Sequence, residues 1–253
     1  MSFKVSRYGW LPDLPDHRDQ LYAAPAELAG AVPAKADLRP QFPAVYDQGQ
    51  LGSCTANAIA GAIEFDRLKQ KLEDFTPSRL FIYYNERVIE HSVDSDSGAQ
   101  IRDGIKSVAR QGDCPEGEWP YVVAKFKTKP PKNCYADARK YKVVLYQRVQ
   151  QTLSQLKGCL ASGYPFLFGF TVYESFESAQ VARTGHAGLP KSGESVIGGH
   201  AVVGAGYDDA KQWFIVRNSW GAGWGMKGYF TLPYAYVTDG SLASDFWTVR
   251  IVQ

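Results

Sequence analysis

The feature that most constrains this chain is a change of hydrophobic period near its midpoint. Before it, apolar side chains recur at helical spacing. A first helix opens at or just before Cys54, with Ala58, Ala62, Phe65 and Leu72 on one face and Ile59 and Ile63 widening it. A second starts near Thr76-Pro77, with Thr as cap and Pro in the first turn, and its face is Leu80, Phe81, Tyr84 and Val88. A third carries Ile101, Ile105 and Val108 and stops near Gly112. After the midpoint the runs are short and strand-like: 141–146, 165–173, 200–207, 213–218, 228–232 and 246–252, with 208–211 as a hairpin turn. One amphipathic helix interrupts them, marked by Val149, Leu153, Leu156 and Leu160 and closed by Gly163. Helices first and strands second predict an α+β chain with two unlike halves.

The organisation expected is an extended segment over 1–35, a mainly helical unit over 36–135 and a mainly β unit over 136–253. The first segment carries Pro12, Pro15, Pro25 and Pro33 and little periodicity. At 253 residues, 45% hydrophobic and 21% charged, the chain can bury a substantial core, and disorder is excluded. A net charge of +2 gives no reason to expect a nucleic-acid partner. No apolar stretch is long enough for a membrane span, and Pro12, Asp13, Pro15, Asp16 and Arg18 fall where a signal peptide needs its apolar core. The reading is a cytoplasmic protein, with export by a signal-independent route left open. Cys54, Cys114, Cys134 and Cys159 are too few for a disulfide scaffold and form no CxxC pair, so neither a metal nor another cofactor is expected. Cys114 and Cys134 bracket a Lys/Pro loop and could either pair or stay free.

Three local signals carry chemistry. Asp47-Gln48-Gly49-Gln50-Leu51-Gly52-Ser53-Cys54 is a glycine-rich loop that delivers a thiol to a helix start. Free N–H groups and the helix dipole favour a thiolate there, and the glycines admit close backbone approach by a substrate. A small buried Cys opening a helix is the equally available structural reading. The second signal is Gly198-Gly199-His200, where a histidine opens an apolar strand; taken alone it reads more readily as structural. His17, His91 and His186 lack any such setting. The third is Arg217-Asn218-Ser219-Trp220-Gly221-Ala222-Gly223-Trp224-Gly225, a rigid aromatic loop entered from a strand that ends at a polar Asn.

Together these motifs resemble the papain-like cysteine peptidases, from about Asp37 to the C-terminus. That family places His and Asn roughly 130–150 residues after its nucleophile; His200 lies inside that interval from Cys54, and Asn218 slightly beyond it. Gln48, six residues before Cys54, and the Asn-Ser-Trp-Gly and Gly-Trp-Gly elements also match. Three positions depart: Leu51 stands where a disulfide-forming Cys is usual, Thr55 where an aromatic follows the nucleophile, and Gly199 where many members carry Asp.

The resemblance implies a papain-like fold, a helical half against an antiparallel barrel-like β half with the site between them. It implies Cys54 as nucleophile, His200 as acid and base, Asn218 as its orienter and Gln48 as an oxyanion donor. Trp220 would cover the His–Asn bond. Peptide substrate would lie along Gly52 and Ser53, with Ser97-Gly98 as a backbone-pairing wall, or as a plain helix-start loop. Gly199 and Gln100 would border the pocket for the second residue before the cleaved bond. Residues 1–35 either cover the cleft or strap the back of the domain. A catalytically silent peptide binder on the same scaffold is the alternative function.

Overall fold

The structure, a computed structural model, describes residues 8–28 and 32–253. Expectations for 1–7 and 29–31 lie outside the described residues. The first half holds three main helices, α1 (Cys54–Lys69), α2 (Arg79–Ile89) and α3 (Ile101–Gln111), followed by the short α4 (Lys132–Ala138). α1 is buried on every side for fourteen of its residues, Cys54 through Arg67. That explains why its expected single face does not hold: a helix enclosed all round needs no polar stripe. Leu72 lies beyond its end and is exposed. α2 is capped not by Thr76 but by Ser78, whose Oγ accepts from the Phe81 N–H. A serine one residue beyond Pro77 supplies the oxygen, and the first helical residue follows it. α3 ends as expected at Gly112, which takes φ 83°.

The second half is a seven-stranded sheet. β4 (Val143–Arg148), β5 (Phe166–Tyr173), β6 (Val196–Asp208), β7 (Trp213–Arg217), β8 (Tyr229–Pro233) and β9 (Ala243–Val252) run in the order β4-β9-β5-β6-β7-β8. Every pairing among them is antiparallel. The seventh strand, β2 (Lys35–Asp37), pairs with the far end of β6, so the chain touches the β half before it builds the helical one. α5 (Leu153–Ala161) is capped by Thr152, and the short α6 (Ala179–Thr184) and α7 (Tyr234–Val237) complete the described helices. β6 begins at Val196, four residues earlier than expected, because Gly198 and Gly199 pair with Val172 and Thr171 without contributing an apolar signal. His200 therefore sits inside a long central strand rather than opening one.

Two cores result. In the β half, Phe166, Phe168, Phe170, Phe214, Phe230 and Phe246 pack together, with Phe168 stacked on Phe246 at a centroid distance of 5.3 Å. The helical core of Ile59, Phe81, Tyr83 and Ile105 continues onto Leu167, Val203 and Trp247 of the sheet. The face between the halves is thus dry and fixed, as a site built from both requires.

Residues 8–28 follow two courses. Trp10–Leu11 form a strand, β1, that pairs in parallel with β3 (Ala99–Gln100). From Asp13 onward the segment straps the outer side. The Arg102 guanidinium donates to the Leu14 carbonyl and to Asp19 at 2.6 Å, and Tyr22 N–H bonds Arg148 O at 2.8 Å. No described helix is long and apolar enough to cross a membrane.

Candidate active site

Five hydrogen bonds tie the nucleophile loop to the strand and loop that carry the third motif. Arg217, at the end of β7, donates to the carbonyls of Pro43 and Ala44 at 2.8 and 2.5 Å. Gln48 N–H bonds Ser219 O at 2.9 Å, and Gly221 N–H bonds Tyr46 O at 2.9 Å. Ser219 Oγ donates to Gln48 Oε1 at 2.5 Å. Sequence reasoning singled out Gln48 but not the arginine and serine that hold its loop. The helical side adds Tyr121, whose hydroxyl reaches Gln48 O at 3.0 Å and Ser53 Oγ at 2.5 Å, with the Arg79 guanidinium 4.1 Å above its ring.

Cys54 is the first residue of α1 and is fully buried. Its Sγ accepts from Ala201 N–H at 3.4 Å, next to His200 on β6. His200 Nε2 lies 2.8 Å from Asn218 Oδ1, which also accepts from Ser219 N–H at 2.9 Å. With that oxygen accepting, Nε2 carries the proton. His200 Nδ1 is buried without a hydrogen-bond partner. Trp220, 2% exposed, stacks on the His200 ring at 5.1 Å and 25°. Burial pushes the Cys54 thiol up to about 12 and the His200 imidazole down to about 4. The burial that shifts both groups also shuts the cleft over them.

What closes it is the segment at 8–11. Tyr8 sets its ring edge-on to His200 at 5.9 Å and donates to Glu177 Oε1 at 2.5 Å. Gly9 lies against the Gly52 carbonyl so closely that a Cβ on it would stand 1.8 Å from that oxygen. Gly9 O accepts from Ala99 N–H at 2.8 Å. The Trp10 indole rests on Gly169 and Gly199, and its Nε1 donates to Asp245 Oδ2 at 3.2 Å.

The expected substrate contacts separate under this geometry. Gly98, at φ 74°, and Gly199 both face the occupying segment. Gly52 presents its carbonyl to Gly9 while its N–H goes to Asp96 at 3.0 Å. Ser53 and Ser97 have side chains committed elsewhere, Ser53 to Tyr121 and Asn57, Ser97 to Ser92 at 2.8 Å. Gln100 Oε1 accepts from Leu14 N–H at 3.1 Å. Gln48 Nε2 donates to Leu51 O at 2.9 Å, leaving its second amide hydrogen. Trp10, expected only as part of a segment that covers the cleft or packs beside it, fills this pocket, and Asp245, missed in the sequence, takes its indole N–H.

Residues 32–245 match the sequence pattern described as "Papain family cysteine protease". The chain belongs to the papain family of cysteine proteases. It is 46% identical to xylellain, a cysteine protease from Xylella fastidiosa, and superposes on that crystal structure with a TM-score of 0.94 over 100% of this chain and 99% of that one. An uncharacterised peptidase C1-like protein of Acanthamoeba polyphaga mimivirus is 44% identical, matching 98% of this chain and 88% of its own. The bromelain protease of Ananas comosus, solved with an inhibitor, shares the fold at 21% identity, with a TM-score of 0.62 over 80% of this chain and 90% of that one. The papain-like α+β architecture, a helical unit against an antiparallel sheet, is therefore that of this peptidase.

Away from the cleft, Cys114, Glu118 and Cys134 bring their donor atoms within 4.8 Å of one another. This was not anticipated from spacing, since the residues are not a CxxC pair. All four cysteines are free thiols, and burial pushes those of Cys114 and Cys134 up.

Proposed function

We propose that the protein hydrolyses peptide bonds through an acyl-enzyme, with Cys54 as nucleophile. The observation that carries this is the alignment across the two halves: a helix-start thiol bonded beside His200, and His200 bonded to Asn218 at 2.8 Å. In the opened cleft the Cys54 proton passes to His200 Nδ1, and the thiolate attacks the substrate carbonyl. The Cys54 N–H and the free Gln48 amide hydrogen stabilise the resulting oxyanion. His200 then returns its proton to the leaving amine and draws one from water, which releases the acyl group from sulfur. Asn218 holds the ring, and Trp220 keeps water from that bond.

The N-terminal segment serves as an internal block. In a substrate, residues before the attacked bond lie along the wall at Gly98 and Ala99. Here the residues after Gly9 lie there, and Tyr8 takes the leaving-group side. The segment thus runs opposite to a substrate and offers no bond in the right sense for attack. This also divides the two alternatives for residues 1–35: 8–11 cover the cleft, and 13–28 strap the domain.

The test is covalent labelling of Cys54 by a peptidyl epoxide. Labelling at Cys54, abolished in Cys54→Ala, is expected. A folded protein that resists label even with its block loosened by Trp10→Ala would instead be a silent peptide binder.

A further inference from the structure

We propose that Cys114, Glu118 and Cys134 form a binding site for a divalent cation of the zinc type, held by two thiolates and one carboxylate. The site lies in the helical half, away from the cleft, and does not depend on the peptidase reading.

The three donors come from segments that the backbone already fixes. Cys114 follows α3, and its carbonyl accepts from Ser78 N–H, at the cap of α2, at 2.9 Å. Glu118 N–H bonds Pro115 O at 2.9 Å, a tight turn that returns Glu118 toward Cys114. Cys134 sits in the first turn of α4, with its N–H on Pro131 O at 3.1 Å. The two sulfurs and a carboxylate oxygen lie within 4.8 Å of one another. Tetrahedral zinc, with sulfur at about 2.3 Å, sets two sulfurs roughly 3.8 Å apart, so closing onto the ion moves the donors by about 1 Å.

The donors are also available. Both cysteines are free thiols and fully buried. Glu118 Oε2 is buried without a hydrogen-bond partner. Cys134 Sγ meets the Glu118 carbonyl only at 3.8 Å, a weak contact. Burial pushes both thiols up, so neither ionises on its own. A dication beside them reverses that balance: as two sulfur–metal bonds form, the two thiol protons pass to solvent. Two thiolates, one carboxylate and the ion then leave one negative charge, and Lys140, paired with Asp137, acts on the same carboxylate. Soft sulfur donors favour zinc over magnesium or calcium. Glu118 is half-buried, so the ion can enter from its side and water can take the fourth position.

The test uses the full chain carrying Cys54→Ala, so that the thiol in the cleft cannot hold the ion, kept anaerobic with a phosphine reductant. Zn²⁺ affinity is measured by competition with a chromophoric chelator, and Co²⁺ serves as the spectroscopic probe. A single metal per chain, a sulfur-to-cobalt charge-transfer band, release of about two protons per metal and a melting temperature that rises with Zn²⁺ are expected. Cys114→Ser/Cys134→Ser should lose the band and the rise in melting temperature. Glu118→Gln, at a half-buried position outside the core, should keep the fold and weaken Zn²⁺ binding by at least about tenfold. The proposal is overturned by the absence of the charge-transfer band, by a band that survives the double serine variant, or by Glu118→Gln binding as tightly as its parent. A Cys114–Cys134 disulfide in the protein as isolated would also overturn it.

Discussion

Replacing Trp10 by alanine should turn the blocked enzyme into an open one. Trp10 is 8% exposed, fills the space over Gly169 and Gly199, and donates to Asp245. Truncating a buried tryptophan costs about 3–5 kcal/mol. The lower figure is about two decades in the equilibrium between docked and displaced segment. The rest of the strap, held by Arg102 through Leu14 and Asp19, should keep the protein folded. An internal block competes with substrate, so its loosening acts on apparent affinity and not on the chemical step. The expected result is an apparent KM lower by up to about a hundredfold with kcat unchanged. The assay is steady-state hydrolysis of a fluorogenic peptide, with thermal melting as the check on folding. A folded variant with unchanged kcat and KM, or a change confined to kcat, would refute the idea that the segment competes for the cleft.

Further expectations follow from the same geometry. Gln48→Ala should lower kcat by about 10²–10³ without abolishing it, through loss of one oxyanion donor, whereas Cys54→Ala should leave no turnover. Tyr121→Phe removes the hydroxyl that braces Gln48 O and Ser53 Oγ; kcat/KM should fall by about tenfold with little change in KM, and an effect on melting temperature alone would count against this bracing role. Burial beside Asp245 pushes the Asp13 carboxyl up to about 6, so docking takes up a proton. That contribution is full below the free carboxyl value of about 4 and is lost as pH rises through about 6. Wild type should therefore exceed Asp13→Ala in melting temperature by more near pH ~4.5 than near pH ~7.5. A gap that widens with pH would contradict this. His200, pushed down to about 4, pulls the closed state the opposite way as pH falls, but it is common to both proteins and cancels.

The residues proposed for catalysis stand out in the sequence because each sits in a short local motif: a glycine-rich loop before Cys54, two glycines before His200, a tryptophan-glycine loop after Asn218. The period change likewise announced the two halves. The blocking contact was not legible in the same way. Trp10 owes its place to Gly169 and Gly199, which carry no side chain and give no signal, and to Asp245, more than 200 residues away in sequence. The N-cap of α2 was misplaced because Thr76 and Ser78 both offer a capping oxygen around Pro77, and only the backbone chooses. α1 concealed its extent because a helix buried all round has no polar face to mark where it ends.

The parallel pairing of Trp10 and Leu11 with Ala99 and Gln100 has a consequence for how such an enzyme is used. A plug lying in the substrate's own direction would be cut on first opening and lost, like a fuse. One that lies backwards survives every opening and can return to its seat. On the proposed reading the segment would be a resettable valve: activity would rise when peptide is abundant enough to hold the cleft open and subside once it is consumed, with no permanent record in the chain.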